Sequence, residues 1–218
     1  MLYVKKFIFN PIQENTYIVY DDTHEAVIID CGCFFEREWM AMKDFMEQEG
    51  LHPVRLLNTH LHFDHSYGNQ FVIRDYHLRP QASMLDYDLY CGMQAQVAMF
   101  LGNQIASQIN TDFTAQLDTP LNDGDQVSFG KHLLRVFSVP GHTPGGICFY
   151  CEEENMLFVG DSLFCGSIGR TDLPGGNYHD LVSSLSRKIM TLPPATKVYS
   201  GHGPETTIEY ENKYNPYL

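Results

Sequence analysis

The chain has 218 residues, 44% of them hydrophobic, which is enough to bury a core without disulfide staples in one large domain or two small ones. Its formal net charge of −13, from 14 Lys and Arg against 27 Asp and Glu, argues against nonspecific binding to nucleic acid or anionic membranes, because clustered basic residues supply that affinity. An acidic chain with ten histidines is instead a natural partner for metal ions.

The first part of the chain alternates between strand and helix patterns. Short runs rich in aromatic and β-branched residues predict strands at residues 2–9, 16–20, 25–30 and 54–57. Between the last two runs, apolar residues at helical spacing predict a helix over 35–48, with Gly50 at its C-terminal cap. A strand, a helix and a strand in this order predict a βαβ-like unit.

The middle of the chain is predicted to be mainly helical. Residues 66–79 have a helical pattern that ends at Pro80, and residues 82–85 predict a short strand. Residues 88–118 are rich in Gln, Met and Ala, which favours a helix around 89–101 and an irregular stretch after it. We interpret 88–118 as a helical insertion or covering element that forms part of a pocket wall.

Strand patterns return in the second half of the chain. Strands are predicted near 126–129, 132–139, 146–151, 156–160 and 197–200, and helices near 178–190 and from about 205. This order is typical of two sheets packed face to face with helices outside. It indicates the α/β (α+β) class, with one domain over residues 1–218.

No part of the chain predicts a membrane anchor or a secretion signal. No segment approaches the ~20 apolar residues of a membrane span, and the N-terminus lacks the apolar stretch of a signal peptide, so we expect a cytoplasmic location. The six cysteines are then expected to be free thiols. Cys31 with Cys33, and Cys148 with Cys151, could form a metal or redox feature, but small apolar residues in or beside strands are the favoured interpretation.

A histidine-rich segment directly follows the predicted strand 54–57. It reads Thr-His-Leu-His-Phe-Asp-His and contains His60, His62, Asp64 and His65. His60 and His62 face the same way in an extended loop, and the next residues can turn back to a second point. Four such side chains exceed what one tetrahedral ion accepts beside other ligands, so the segment indicates metal binding rather than a polar turn.

Three more strand ends carry a metal-ligating side chain beside glycine. His142 lies in Val-Pro-Gly-His-Thr-Pro-Gly, Asp161 in Phe-Val-Gly-Asp-Ser, and His202 in Tyr-Ser-Gly-His-Gly. Each alone is ordinary, but four such strand ends together predict one composite metal site. The remaining histidines lack this context and are interpreted as surface or structural residues: His24, His52, His77, His132 and His179.

The order H-x-H-x-D-H, G-H-T-P-G, G-D and G-H-G resembles the metallo-β-lactamase-fold superfamily over essentially the whole chain. The resemblance implies a four-layer αββα sandwich, two mixed β-sheets flanked by helices, with a binuclear metal site at one edge. It also implies these ligands: His60, His62 and His142 for one metal, Asp64, His65 and His202 for the other, and Asp161 as a bridge between them.

Within that superfamily, the segments Gly-Asp-Ser-Leu-Phe, from residue 160, and Gly-Arg-Thr-Asp, from residue 169, are similar to the short glyoxalase II-like (hydroxyacylglutathione hydrolase-like) branch. Full-length glyoxalase II hydrolyses S-2-hydroxyacylglutathione and holds glutathione partly with a C-terminal helical domain. Here the chain ends shortly after His202, so the thiol carrier is left open. Some true β-lactamases have a cysteine at or near the position of Asp161, so penicillin hydrolysis is not expected.

The ligand set, together with the resemblance to the glyoxalase II-like branch, predicts a thioesterase. Two cations that share a water molecule lower its pKa towards ~7, and the bridging hydroxide would attack a small-molecule thioester at its acyl carbonyl. Asp64 would orient this hydroxide as well as bind metal. Arg170 could meet a substrate carboxylate, and an ordinary ion pair is an equally good interpretation.

Nitrogen and oxygen ligands are compatible with Zn²⁺, Fe²⁺ and Mn²⁺, of which we expect zinc. Three alternatives remain. A persulfide dioxygenase of the same fold would hold one iron with His60, His142 and Asp161. A phosphodiesterase or nuclease is disfavoured by the acidic charge, and a non-catalytic metal-binding protein is disfavoured because all seven ligand positions are filled. We expect neither a nucleic-acid nor a membrane partner.

Overall fold

The computed structural model describes residues 1–218 and contains two large mixed sheets. The first sheet has five strands, in spatial order β1-β2-β3-β4-β5: β1 (Tyr3–Phe9), β2 (Glu14–Tyr20), β3 (Glu25–Ile29), β4 (His52–Leu57) and β5 (Pro80–Gln81). The first three strands are antiparallel, while β3, β4 and β5 are parallel. Helix α1 (Glu36–Gln48) connects β3 to β4, so the predicted βαβ unit is confirmed.

The second half of the chain forms the other sheet and a small hairpin. Its strands are β6 (Gln126–Phe129), β7 (His132–Ser138), β8 (Ile147–Cys151), β9 (Met156–Gly160), β10 (Leu163–Phe164), β11 (Ser167–Ile168), β12 (Lys197–Ser200) and β13 (Thr206–Thr207). The six-stranded sheet has the order β13-β12-β9-β8-β7-β6, and β10 pairs with β11. Only β9 and β12 are parallel neighbours in this sheet.

The remaining helices are mostly short. They are α2 (Phe63–Ser66), α3 (Asn69–Tyr76), α4 (Tyr87–Cys91), α5 (Met93–Leu101), α6 (Asn103–Ala106), α7 (Tyr178–Ser184) and α8 (Ile208–Tyr214). Helix α7 continues as a π-helical turn over Leu185–Ile189, and 3₁₀ turns lie at Met84–Asp86 and Asp112–Ala115. None of the helices combines the length and the apolarity that crossing a membrane requires.

Hydrophobic contacts form three interfaces between four layers. Between the sheets, Tyr17 of β2 packs edge-to-face on Phe158 of β9 with ring centroids 5.5 Å apart. Helix α1 buries Trp39 and Met42 on the outer face of the first sheet. Leu185 lies in the cluster on the outer face of the second sheet. The predicted αββα arrangement is therefore confirmed.

The cysteines behave as ordinary packing residues. All six are free thiols, and only Cys91 and Cys165 are exposed. Cys31 and Cys33 are fully buried in the cluster beneath α1. This agrees with the interpretation as small apolar residues.

The predicted strand at 82–85 is wrong. The chain pairs with β4 only over Pro80–Gln81 and then enters the 3₁₀ turn at Met84–Asp86, which Ser83 caps by accepting a hydrogen bond from the Leu85 amide. The turn forms because the Asp86 carboxylate is drawn inward, where it accepts hydrogen bonds from a distant loop. A strand would have continued along β4 instead.

The predicted helix over 66–79 is divided and shifted. It begins at Phe63 as α2, breaks near Gly68 and resumes as α3 up to Tyr76. A Cβ at Gly68 would lie 2.7 Å from the Cys31 carbonyl oxygen, so glycine permits this close approach. His77 has a φ of 58° and ends the helix in the left-handed region, before the predicted stop at Pro80.

Candidate metal centre

The four histidine and aspartate segments meet at one edge of the two sheets. β4 leads into the loop with His60 and His62, and α2 then turns Asp64 and His65 back towards the same point. The β9 and β12 ends lie side by side, because the Gly201 amide donates a hydrogen bond of 2.7 Å to the Gly160 carbonyl. The predicted composite site is thus assembled from distant parts of the chain.

The structure places the ligand-type atoms of six of the seven predicted residues in two neighbouring groups. Within each group these atoms lie no more than 4.8 Å apart; the groups are His60, His62 and His142, and Asp64, His65 and His202. Asp161 lies between them, with Oδ1 3.3 Å from His65 Nε2 and Oδ2 3.6 Å from both His142 Nε2 and His202 Nε2. Asp161 therefore has a carboxylate oxygen close to residues of both groups.

Gly201 is required at the centre of this arrangement. A Cβ at this position would collide with Asp161 Oδ1 and with the His65 ring. Glycine before His202 therefore lets the strand end pass directly against the other two side chains.

Two histidines are oriented by main-chain carbonyl groups. His142 Nδ1 lies 2.7 Å from the Arg170 carbonyl oxygen, and His202 Nδ1 lies 3.1 Å from that of Gln13. A carbonyl oxygen only accepts hydrogen bonds, so we assign the ring proton to Nδ1 in both residues. The Nε2 lone pair of each ring then points into the site, as in metal-binding histidines.

Asp30 orients two further histidines from behind. Its Oδ2 lies 3.1 Å from His65 Nδ1 and accepts a hydrogen bond of 2.7 Å from the Thr59 hydroxyl, which in turn lies 3.1 Å from His60 Nδ1. Asp30 also lies within 4.8 Å of ligand-type atoms of His60 and His65. Because its oxygens already accept these hydrogen bonds, we assign Asp30 to orientation of the ligands and not to metal binding.

The arrangement fits divalent cations. His60 Nε2, His65 Nε2 and Asp161 Oδ1 are buried and have no hydrogen-bond partner. Unpaired buried polar atoms are costly unless another group satisfies them. Imidazole nitrogens and carboxylate oxygens converge here, and both are ligands of zinc, iron and manganese. The donor set does not distinguish among these metals.

The charges of the site also favour bound cations. Burial lowers the pKa of His65, but the carboxylates of Asp161 and Asp64 outweigh it and raise that pKa well above its ordinary value. Burial alone would raise the pKa of Asp161, yet positive charge on His65 holds it well below its usual range. The carboxylates thus attract positive charge, which bound cations would supply.

Two histidines of the other group, His60 and His62, stay neutral. Burial, together with the neighbouring rings, lowers the pKa of His60 well below its ordinary value and that of His62 to about 4. Metal ions bind the neutral form of imidazole, so these two rings need to lose no proton at neutral pH.

Asp86 is a supporting residue that sequence analysis missed. Its Oδ1 accepts a hydrogen bond of 2.7 Å from the Gly145 amide, and its Oδ2 accepts one of 2.8 Å from the Thr143 hydroxyl and one of 3.3 Å from the Leu61 amide. It therefore ties the His60 loop to the loop of His142. No signal pointed to it, because 82–85 was predicted to be a strand. Asp30 did carry a signal, since it ends an apolar strand as Asp161 does.

The centre opens into a cavity of about 310 Å³ that is lined by ligands and by apolar side chains. Arg170 also lines it, but its guanidinium makes two hydrogen bonds of 2.8 Å to Asp172. Both interpretations of Arg170 therefore remain compatible with its position. Of the five histidines outside the site, only His132 is buried, with Nε2 3.7 Å from an Asp21 oxygen.

Three comparisons place this architecture among known proteins. The sequence model of the metallo-beta-lactamase superfamily matches residues 9–202. The hydroxyacylglutathione hydrolase GloC of Haemophilus influenzae is 31% identical over 212 residues, covering 94% of this chain and 93% of that protein. The crystal structure of the BLEG-1 B3 metallo-beta-lactamase is 35% identical, with a TM-score of 0.88 over 100% of this chain and 99% of that chain. A di-iron-bound form of TTHA1623 is 36% identical, with a TM-score of 0.83 over 99% of this chain and 100% of that chain.

Proposed function

The chain belongs to the metallo-beta-lactamase superfamily, and from this premise we propose that it is a metal-dependent thioesterase similar to glyoxalase II. Membership of the family supports a metal-dependent hydrolase, and the thioester is our inference. The inference of a thioester substrate rests on one observation. Apart from the seven proposed ligands, Arg170 is the only ionisable residue that lines the cavity.

This observation matters because leaving groups differ in their need for a proton. An amine or an alkoxide leaves poorly unless a general acid protonates it. A thiol has an ordinary pKa of ~8.5 and leaves readily as a thiolate. A site without an additional general acid therefore suits a thioester.

We propose that the ligand groups act as the sequence predicts. His60, His62 and His142 would hold one ion, Asp64, His65 and His202 would hold the other, and Asp161 would contribute to both. When bound, such cations supply Lewis acidity and a water molecule that loses its proton near neutral pH. Zinc is our first candidate, and the di-iron form of TTHA1623 makes iron the first alternative.

The residues of the chain position the reactants. Asp64 Oδ2 lies 3.3 Å from His202 Nε2 at the cavity wall, so Asp64 can accept a hydrogen bond from the attacking water and aim it at the acyl carbon. Oxygen from water bonds to that carbon and the water gives up its protons to the solvent, while the carbon–sulfur bond breaks and the sulfur leaves as a thiolate with its electron pair. Phe100 and Phe164 line the cavity and limit the access of bulk water.

The test combines metal analysis with turnover. We expect two divalent ions per chain by elemental analysis, and hydrolysis of S-lactoylglutathione or of acyl thioesters of N-acetylcysteamine. The Asp161→Ala variant should lose metal and activity together, whereas Asp44→Ala, on the exposed face of α1, should lose neither. Retention of both by Asp161→Ala would contradict the bridging assignment.

A second candidate comes from the comparison with BLEG-1, which is a B3 metallo-beta-lactamase at 35% identity. Turnover of a chromogenic cephalosporin without turnover of any thioester would favour that activity. One iron per chain, with oxygen consumption on a persulfide and no thioester turnover, would favour the dioxygenase alternative. Either result would refute the thioesterase proposal.

A further inference from the structure

A second, smaller cavity, which we call the side groove, lies beside the cavity of the metal centre. It has a volume of about 170 Å³ and shares His62, Phe100 and Leu173 with the first cavity. Its apolar lining consists of Leu89, Ala95, Met99, Phe100, Leu173 and Pro174. The side groove therefore adjoins the cavity of the metal centre, with these three side chains at their common boundary.

The side groove offers a ligand almost no polar group. Besides His62, Gln96 is the one polar residue in its lining, and both ends of that side chain are occupied. Gln96 Oε1 accepts a hydrogen bond of 3.0 Å from the Phe63 amide, and Nε2 donates one of 2.6 Å to the Leu89 carbonyl. A polar ligand group would lose its water here without gaining a partner.

Helix α5 leaves apolar side chains exposed at this groove. Met93 and Val97 are fully buried in the core on one side of the helix. Met99 is 67% exposed and Phe100 is 39% exposed, although both are large and apolar. Covering them with another apolar group would release water and stabilise the bound state.

The cavities lack cations that could bind a charged thiol carrier. Arg170 is the only Lys or Arg in either lining, and Asp172 already pairs with its guanidinium. Glutathione carries two carboxylates, for which no unpaired basic side chain is available here. The lining therefore complements an apolar group rather than a peptide with several charges.

We propose that the side groove binds the apolar acyl chain of the substrate, so that the enzyme prefers acyl groups of several carbons to a 2-hydroxyacyl group. This inference rests on the proposed thioesterase function and adds the class of acyl group. Each methylene removed from water improves binding roughly fourfold. A hexanoyl group has four more methylenes than an acetyl group and should benefit accordingly.

Binding can be measured without hydrolysis. In the ketones S-(2-oxoheptyl)- and S-(2-oxopropyl)-N-acetylcysteamine a methylene separates sulfur from the carbonyl, so they imitate the hexanoyl and acetyl thioesters but have no cleavable bond. On the metal-loaded protein, calorimetry should give a Kd about tenfold or more lower for the longer ketone. Equal Kd values would overturn the proposal.

Two methionine variants test whether the preference for the longer ketone arises in the side groove. Met99→Glu places a charge in the side groove and should reduce the ratio of the two Kd values at least threefold, because an unpaired carboxylate opposes an apolar chain. Met40→Glu makes the same change on α1, where Met40 is 43% exposed and lines neither cavity, and should leave the ratio unchanged. Equal effects of both variants would overturn the proposal.

Turnover separates this inference from the proposed function. Chain-length-dependent ketone binding without hydrolysis of either thioester would support the side groove and refute the thioesterase. Hydrolysis of both thioesters with the same kcat/KM, together with equal ketone binding, would support the thioesterase and refute the acyl-chain role of the side groove. If sedimentation showed a dimer that Met99→Glu dissociates, with no change in the Kd ratio, a second copy would be the occupant and the acyl proposal would be wrong.

Discussion

The two walls of the cavity are built in opposite ways. On the metal side, His65 and His142 are buried and Asp161 is largely buried, and each histidine is fixed from behind by an oxygen acceptor. On the other side, Met99 and Phe100 are exposed and make no polar contact. The first wall fixes its polar side chains with hydrogen bonds, whereas the second offers only apolar area.

This difference indicates how reaction and selectivity are divided. A change in the metal wall removes a ligand or its support, and the reaction is lost with it. Under the proposal above, a change at Met99 would alter only which acyl group packs well, because apolar contact is nondirectional. The following variants test whether one wall can be changed without affecting the other.

The largest effect is expected from removal of metal. At a free metal concentration of 1,000 times Kd, binding adds about 4 kcal/mol to the free energy of unfolding. Dialysis of the protein against a chelator should remove this increment, as measured by denaturant unfolding. Met99→Ala should show the same increment as the unchanged protein, and Asp161→Ala should show little of it. A metal increment that Met99→Ala abolished would mean that the walls are coupled.

A smaller loss of metal affinity is expected when a proposed ligand is kept but the residue that orients it is removed. Asp30→Ala takes away the acceptor for His65 Nδ1 and for the Thr59 hydroxyl. Replacing such a supporting carboxylate typically weakens metal binding by about 10- to 100-fold. Competition with a chromogenic chelator measures this affinity. Asp44→Asn removes an exposed carboxylate on α1 and should not change it, and an equal effect of both variants would show that only net charge matters.

The two walls also differ in how far the sequence could predict them. His60, Asp161 and His202 sit at the ends of apolar strands, and strand ends of neighbouring strands meet at one edge, so their convergence could be inferred from local patterns. Asp86 could not be found in this way. Its partners Thr143 and Gly145 are 57 and 59 residues away, and only the folded chain brings them together.

The groove wall was predicted in outline only. The composition of 88–118 indicated a helix, and the structure gives α4 and α5, divided at Gly92. Which of its apolar residues remain exposed depends on what the helix packs against, and local spacing does not contain that information. Met93 and Met99 have the same chemistry, yet one is buried and the other is open to solvent.

An effect of intermediate size is expected at Arg170, because it is the one Lys or Arg in the lining of the cavity of the metal centre. The hydrogen bonds from Arg170 lower the pKa of Asp172 to about 2, so this pair stays ionised as pH falls and separates only near pH 2. Asp172→Asn should free the guanidinium and raise kcat/KM for S-lactoylglutathione about two- to fivefold, with no gain for a neutral thioester. The gain should be constant from pH 5 to 8 and smaller in high salt. An equal gain for both substrates would show that charge pairing is not its cause.

The smallest effect is expected for Met99→Ala, on the stability of helix α5 itself. Val97 is fully buried and Met99 is 67% exposed, although they lie two residues apart on the same helix. Val97→Ala should lower the free energy of unfolding by about 2 kcal/mol through lost packing, whereas Met99→Ala should change it by less than about 0.5 kcal/mol. Urea unfolding of the two variants measures both values. If Met99→Ala cost as much as Val97→Ala, Met99 would be part of the core, and the groove wall could not vary without destabilising the fold. A negligible cost would leave that side chain free to be exchanged for selectivity alone.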